Sequence, residues 1–239
     1  MIVQLHQSGF YASTSRMSPV HHVGSWKELQ AWLLQETTVQ VIICDVYGTL
    51  LEVRPGSTEA AARWKVLWRR LLPEHPIIPL EDIDRKMQQG IAVSHAASKD
   101  PFPEVDWVAL FSEIVPHFAA RLARHHARLQ RECVLMPRVA EFLRGIHLPL
   151  GICSNAQAYT LMELRLALRA HRLSLGVFDP AFTFWSFQHG TAKPNPAIFV
   201  QLARRATLDP SQFLMVGDRR DNDIQPAMEA GWSTWQLLS

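Results

Sequence analysis

The chain has 239 residues, 48% of them hydrophobic, enough to bury one substantial core or a core with a smaller accessory unit. Its 24 basic and 22 acidic residues leave a formal charge of +2, too even a balance for a nucleic-acid or anionic-membrane partner. No stretch approaches the ~20 apolar residues that span a bilayer. Three cysteines, two of them inside apolar runs, argue against a disulfide framework and for a reducing, cytoplasmic setting.

Residues 1–24 contain no acidic side chain and read as a poorly ordered tail. Ser, Thr, Arg16 and several His give it a faint likeness to a transit segment, but it has no apolar stretch of the kind that directs secretion. Order is expected from Ser25, which with Glu28 makes a capping box ahead of Trp26, Leu29, Leu33 and Leu34 at helical spacing. Next comes Val41-Ile42-Ile43-Cys44, an apolar run suited to a strand buried on both faces. It ends in Asp45-Val46-Tyr47-Gly48-Thr49, where a glycine allows a sharp turn at the strand's carboxyl end. Open α/β sheets bind their ligands at that edge.

From Leu51 to Val134 no second buried strand is evident, and helical patterns run over 59–72, 80–89 and 105–128. Pro73, Pro76 and Pro79 separate the first two, and Asp100-Pro101-Phe102-Pro103 precedes the third. Trp64, Trp68 and Trp107 recur at helical spacing and read as the core of this segment, and the basic stretch 121–131 reads as a solvated helix face. From Pro137 helices and strands alternate: helix 139–145, strand 148–153, helix 157–172, strand 181–185, helix 196–205, strand 213–216, helix 224–230 and strand 234–238. The expected architecture is α/β, with a Rossmann-like parallel-sheet core over 25–50 and 135–239 interrupted by an all-helical domain over 51–134.

Polar residues follow further strands of that sheet. Leu150-Gly151-Ile152-Cys153 runs into Ser154-Asn155, Thr191-Ala192-Lys193-Pro194-Asn195 leads into a helix, and Phe213-Leu214-Met215-Val216 runs into Gly217-Asp218 with Asp223 close behind. All project onto one sheet edge. Three carboxylates converging there cannot all stay ionised without a cation, and a hard, oxygen-seeking Mg²⁺ meets that need.

These segments, in this order, resemble the four motifs of the haloacid dehalogenase-like hydrolases, in the arrangement with a helical cap between the first and second. The resemblance covers nearly all of the chain from Val41 onward. It implies Asp45 as a nucleophile forming an aspartyl ester or aspartyl phosphate, and Lys193 as the cation that keeps it ionised. Ser154, with Asn155 beside it, would bind the substrate's oxygens. The metal set would be Asp45, Asp218, Asp223 and the backbone carbonyl of Tyr47. Trp185 and Phe187 flank a strand end and either line the pocket or pack. A cap closing over the site would set specificity, and Arg54, or an Arg or His of the cap, is expected to reach the substrate's distal group.

The match departs from the pattern at Tyr47. Family phosphatases carry there an aspartate that serves as general acid and base, whereas 2-haloacid dehalogenases carry tyrosine, because a halide leaves without a proton. Those dehalogenases lack the counterpart of Asp218 and need no metal. A missing acid/base typically costs about 10²- to 10⁴-fold, whereas unpaired carboxylates against an anionic substrate are costly in a closed site. The balance favours a Mg²⁺-dependent phosphatase on a small phosphorylated metabolite. A 2-haloacid dehalogenase without a metal, and a catalytically weak protein that binds a phospho-ligand or a protein partner, remain open. Substrate identity and oligomeric state are not specified by these motifs.

Overall fold

The computed structural model describes residues 19–36 and 38–238. Its centre is a sheet of parallel strands in the order β1-β8-β7-β2-β5-β6. These are β1 (His21–Gly24), β2 (Val41–Cys44), β5 (Leu150–Ser154), β6 (Phe184–Trp185), β7 (Phe213–Gly217) and β8 (Ser233–Leu237). β2 lies between β5 and β7, in register through Cys44 with Ile152 on one side and Val216 on the other.

All four residues of β2 are buried, and they alternate between two layers as the pleat requires. Ile42 and Cys44 pack with Trp26 and Leu29 of α1 (Trp26–Leu33), Phe142 of α6 (Val139–Gly145) and Leu164 and Leu168 of α7 (Thr160–Ala170). Val41 and Ile43 pack on the opposite face with Ile198, Phe199 and Leu202 of α9 (Pro196–Ala206) and Ala227 of α10 (Gln225–Glu229). Each fully buried Ile or Leu contributes roughly 1.5–3 kcal/mol, which is why the strand that presents Asp45 is among the best-anchored elements. Helix α1 opens on the expected capping box, with Glu28 Oε2 accepting from Ser25 N at 2.7 Å.

The helical unit has its own core, built from α2 (Ala60–Leu71), α3 (Leu80–Ala97), α4 (Trp107–Ile114) and α5 (Ala119–Gln130) around Trp64, Trp68, Ile83, Phe111 and Leu122. Trp64 Nε1 donates to Ile78 O at 2.8 Å, tying the Pro-rich connection back onto α2.

Several boundaries differ from expectation. The 51–134 segment is not all helical: it enters and leaves through an antiparallel ribbon, β3 (Leu51–Pro55) paired with β4 (Arg131–Leu135), Leu51 opposite Leu135 and Pro55 opposite Arg131. Both strands mix charges with apolar residues, and such a pair is stable only because it packs on something else, here α7. The single helix expected over 105–128 is broken into α4 and α5, because Val115 leaves the helix before Pro116 and Phe118 is left-handed at φ 63°. Conversely, α3 runs on through Gly90, where a side chain would strike Leu110 of α4. The expected strand 181–185 shrinks to Phe184–Trp185, since Asp179 caps a short helical turn at Pro180–Phe182.

The tail assigned to 1–24 ends in a strand: β1 pairs in parallel with β8, His21 opposite Thr234. Residues 1–18 lie outside the described part. Among the described residues no helix is long and apolar enough to cross a membrane.

Candidate active site

Four loops at the carboxyl edge of the sheet bring Asp45, Ser154, Lys193, Asp218 and Asp223 together. Asp45 follows β2 directly, and its N–H donates to Val216 O at 2.9 Å, so the neighbouring strand fixes its backbone. The chain then folds tightly, with Leu50 N and Leu51 N both donating to Val46 O at 2.9 and 2.7 Å. Gly48 has φ +79°, and a Cβ there would lie 2.3 Å from Asp218 Oδ2, so this turn admits glycine alone. Thr49 donates to Asp218 Oδ1 at 3.3 Å. Gly217 has the same relation to Asp223, whose carboxylate lies 2.5 Å from where its Cβ would be.

The Lys193 side chain is wholly buried and ion-pairs with Asp45 Oδ1 at 2.8 Å and with Asp223 Oδ1. Burial disfavours its ammonium, but Asp223 and Asp45 together overcome that penalty and hold it protonated well above the lysine range. Asp223 is pushed up to about 6, chiefly by burial and against the pull of Lys193. Burial and the Asp45 charge also raise Asp218. Asp45, Asp218 and Asp223 each offer an oxygen within 4.8 Å of the others, so a single lysine balances three carboxylates. The surplus is two negative charges, and a divalent cation cancels it. Asp223 has one oxygen facing Lys193 and the other accepting from Arg219 N at 3.1 Å, which leaves Asp45 and Asp218 the freer pair.

Ser154 stands at the end of β5, the strand beside β2, and its Oγ is buried with no hydrogen-bond partner. An unmade buried hydroxyl bond costs about 1–3 kcal/mol, a cost that Ser154 carries at the sheet edge beside Asp45. Asn155, expected to bind the substrate's oxygens, commits its side-chain amide to Lys193 instead. Its Oδ1 accepts from Lys193 N at 2.7 Å and its Nδ2 donates to Lys193 O at 2.9 Å, so it clamps the lysine's backbone in place. Arg54 is likewise not brought into the site. It is half-exposed on β3 and paired with Glu52 at 2.8 Å, a local contact between residues of the same strand face. Trp185 is buried in the core layer that contains α7.

Tyr47 turns its hydroxyl into a polar cluster. Its proton goes to Glu163 Oε2 at 2.5 Å, Arg131 Nη2 donates to it at 2.7 Å, and Thr160 Oγ1 lies 2.7 Å away. The Arg131 guanidinium also sits over the Tyr47 ring, 4.6 Å from its centroid, and meets Glu163 at 3.0 Å. Burial and the Glu163 carboxylate, against the pull of Arg131, hold the phenol protonated far above its usual range.

Sequence reasoning missed Arg131, Glu163, Thr49 and a seam between the two units. In that seam Glu104 binds Gln157 Nε2 at 2.9 Å and Ser186 Oγ at 2.6 Å. Beside it, Glu104 N donates to Gly190 O and Ala192 N to Phe102 O, at 3.1 and 2.8 Å. Glu163 alone had a signal, a carboxylate on the buried stripe of an amphipathic helix. The others pair residues far apart in the chain.

Among curated proteins, the chain is 49% identical over 95 residues to a glyceraldehyde 3-phosphate phosphatase of Methanopyrus kandleri, a match covering 40% of this chain and 38% of that protein. It is 28% identical over 205 residues to a phosphoglycolate phosphatase of Aliivibrio fischeri, covering 83% and 84%. The match thus spans well under half of the first relative but most of the second. Among solved structures, a 2-haloacid dehalogenase of Pseudomonas syringae superposes with a TM-score of 0.58 at 20% identity, covering 82% of this chain and 85% of that one. A haloacid dehalogenase family enzyme of Bacteroides thetaiotaomicron, in complex with magnesium and inorganic phosphate, superposes at 0.53 with 15% identity, covering 83% and 93%. These likenesses are of fold. The sequence itself matches the haloacid dehalogenase-like hydrolases over residues 39–231, and the chain belongs to that family.

Proposed function

We propose that this hydrolase is a Mg²⁺-dependent phosphatase acting on a small phosphorylated metabolite through an aspartyl-phosphate intermediate on Asp45. The observation that carries the proposal is the cluster of Asp45, Asp218 and Asp223 around a single buried lysine. The two curated relatives named above, both named as phosphatases of small phosphorylated compounds, support it.

In this reading Asp45 attacks phosphorus, and Lys193 keeps its carboxylate ionised and aimed. Ser154 Oγ, unpartnered and buried, receives a phosphoryl oxygen. Mg²⁺ would be held by the carboxylates of Asp45 and Asp218, the backbone carbonyl of Tyr47, and Asp223 directly or through water. When bound it would neutralise charge on the transferring group. Asn155 positions Lys193, and Tyr47 is held away from the chemistry by Glu163 and Arg131. The helical unit acts as a cap whose Glu104 seam closes the site from water. The partner is thus a small molecule, with no role for nucleic acid or membrane, and the three free cysteines suit a cytoplasmic enzyme.

A second reading, a metal-independent 2-haloacid dehalogenase, is favoured by Tyr47 alone. The test is phosphate release from 4-nitrophenyl phosphate with and without Mg²⁺. Metal-dependent turnover abolished by Asp45→Asn is expected, whereas halide release from 2-haloacids in EDTA, with no phosphate release, would overturn the proposal.

A further inference from the structure

On the phosphatase reading Asp45 is the nucleophile, but among the described residues no side chain is free to protonate a leaving oxygen. Asp218 and Asp223 belong to the cation set, the Tyr159 phenol lies under Arg131, and the other candidates along these loops and the seam are engaged in turn. Tyr47 gives its single proton to Glu163 and is covered by Arg131. Those two residues line a cavity of about 550 Å³ whose walls contain none of Asp45, Ser154, Lys193, Asp218 or Asp223. Lys193 is pinned between two carboxylates and gives up a proton least readily there. Thr49 donates to Asp218. From the helical unit, Glu104 has one oxygen on Gln157 and the other on Ser186. His126, the buried histidine of that unit, spends its Nε2 proton on Asp84 at 2.6 Å, and burial among Trp64, Trp107 and Phe111 favours the neutral ring, so its unpartnered Nδ1 carries no proton to give.

General acid catalysis matters in proportion to the basicity of the group that leaves. An alkoxide needs a proton as the P–O bond breaks, whereas a carboxylate or another stabilised anion does not. We infer that this enzyme is built for phosphate carried on a leaving group that departs as a stable anion, acyl phosphates foremost, and that it is poor on alkyl phosphates. The inference rests on the phosphatase reading and narrows its substrate class, setting the chain apart from relatives named for phosphate esters of alcohols.

The steps balance without a co-reactant. An Asp45 oxygen bonds to phosphorus as the P–O bond to the substrate breaks, and the carboxylate leaves with the electron pair. Water then bonds to phosphorus, the P–O bond to Asp45 breaks with its pair returning to the carboxylate, and the water's proton passes to a phosphoryl oxygen, giving dihydrogen phosphate.

The test uses the full chain with Mg²⁺ and compares kcat/KM for acetyl phosphate, 4-nitrophenyl phosphate, phenyl phosphate and glycerol phosphate. A fall of at least about 100-fold from the acyl to the alkyl substrate is expected, the size of a missing general acid. A series flat to within about 10-fold would mean that a proton is being delivered, and the inference fails while the phosphatase reading stands. Tyr47→Phe should leave the acyl-to-alkyl ratio unchanged whatever its absolute rate. A selective loss on glycerol phosphate would identify the phenol as the acid and overturn the inference. Absence of turnover on every phosphate compound overturns the phosphatase reading and this inference with it.

Discussion

Replacing Lys193 by methionine keeps most of the side-chain volume and removes the one cation that, among the described residues, ion-pairs with Asp45 and Asp223. In the native protein its ammonium is fully buried, bonded to Asp45 at 2.8 Å and to Asp223, whose side chain has no solvent exposure. Removing one partner of a buried pair costs about 3–5 kcal/mol, because the charge left behind has neither water nor a counter-ion. Here two carboxylates are stranded and Asp218 stands beside them, so the upper part of that range is expected. Against a typical total of 5–15 kcal/mol, this is a fall in melting temperature of roughly 8–20 °C for a chain of this size. Urea denaturation in EDTA would measure it. Millimolar Mg²⁺ should return about 1–3 kcal/mol to the variant, more than it gives the wild type, since it supplies the missing positive charge to the folded state alone. A loss below about 1 kcal/mol, or no Mg²⁺ response in either protein, would refute the charge accounting on which the cation site rests.

Asn155→Ala should lower kcat by about 10-fold with KM nearly unchanged, as expected for a residue that positions Lys193 through two bonds worth about 1 kcal/mol each. A rise in KM alone would return Asn155 to substrate binding. Gly48→Ala drives a Cβ into Asp218 at a left-handed φ. It should cost about 1–3 kcal/mol by calorimetry and abolish Mg²⁺ binding by titration. Metal-free protein should gain stability on acidification. Asp223 is raised to about 6 when folded against ~3.9 in the unfolded chain. The folded state therefore binds the extra proton between these values, and stability rises by about 1–3 kcal/mol as pH falls from 7 to 4. Asp223→Asn should remove most of this dependence in urea titrations, leaving the smaller part that the raised Asp218 supplies. Glu104→Ala opens the seam to Gln157 and Ser186 and should speed amide exchange at residues 102–105 and 190–192 while leaving the core layers protected.

The apolar run before Asp45, the glycine after it, and the alternation of helix and strand beyond residue 137 specify most of the core. Such signals are local: period-2 burial, capping and turn chemistry need no knowledge of distant residues. The same locality placed Asp45, Ser154, Lys193, Asp218 and Asp223 at strand ends and therefore on one edge. It failed where stability comes from a distant partner. β1 is a His-His-Val-Gly edge strand held by β8, and the β3-β4 ribbon joins residues some eighty positions apart and leans on α7. Side-chain direction was equally beyond reach. Asn155 and Arg54, polar residues close to the motifs in sequence, turn to Lys193 and Glu52. The sequence by itself determined the family of the chain and the chemical types gathered at its site. Only the tertiary structure decided that Tyr47 gives its proton to Glu163 under Arg131, because that bond joins residues more than a hundred positions apart and is formed only when the ribbon docks on α7.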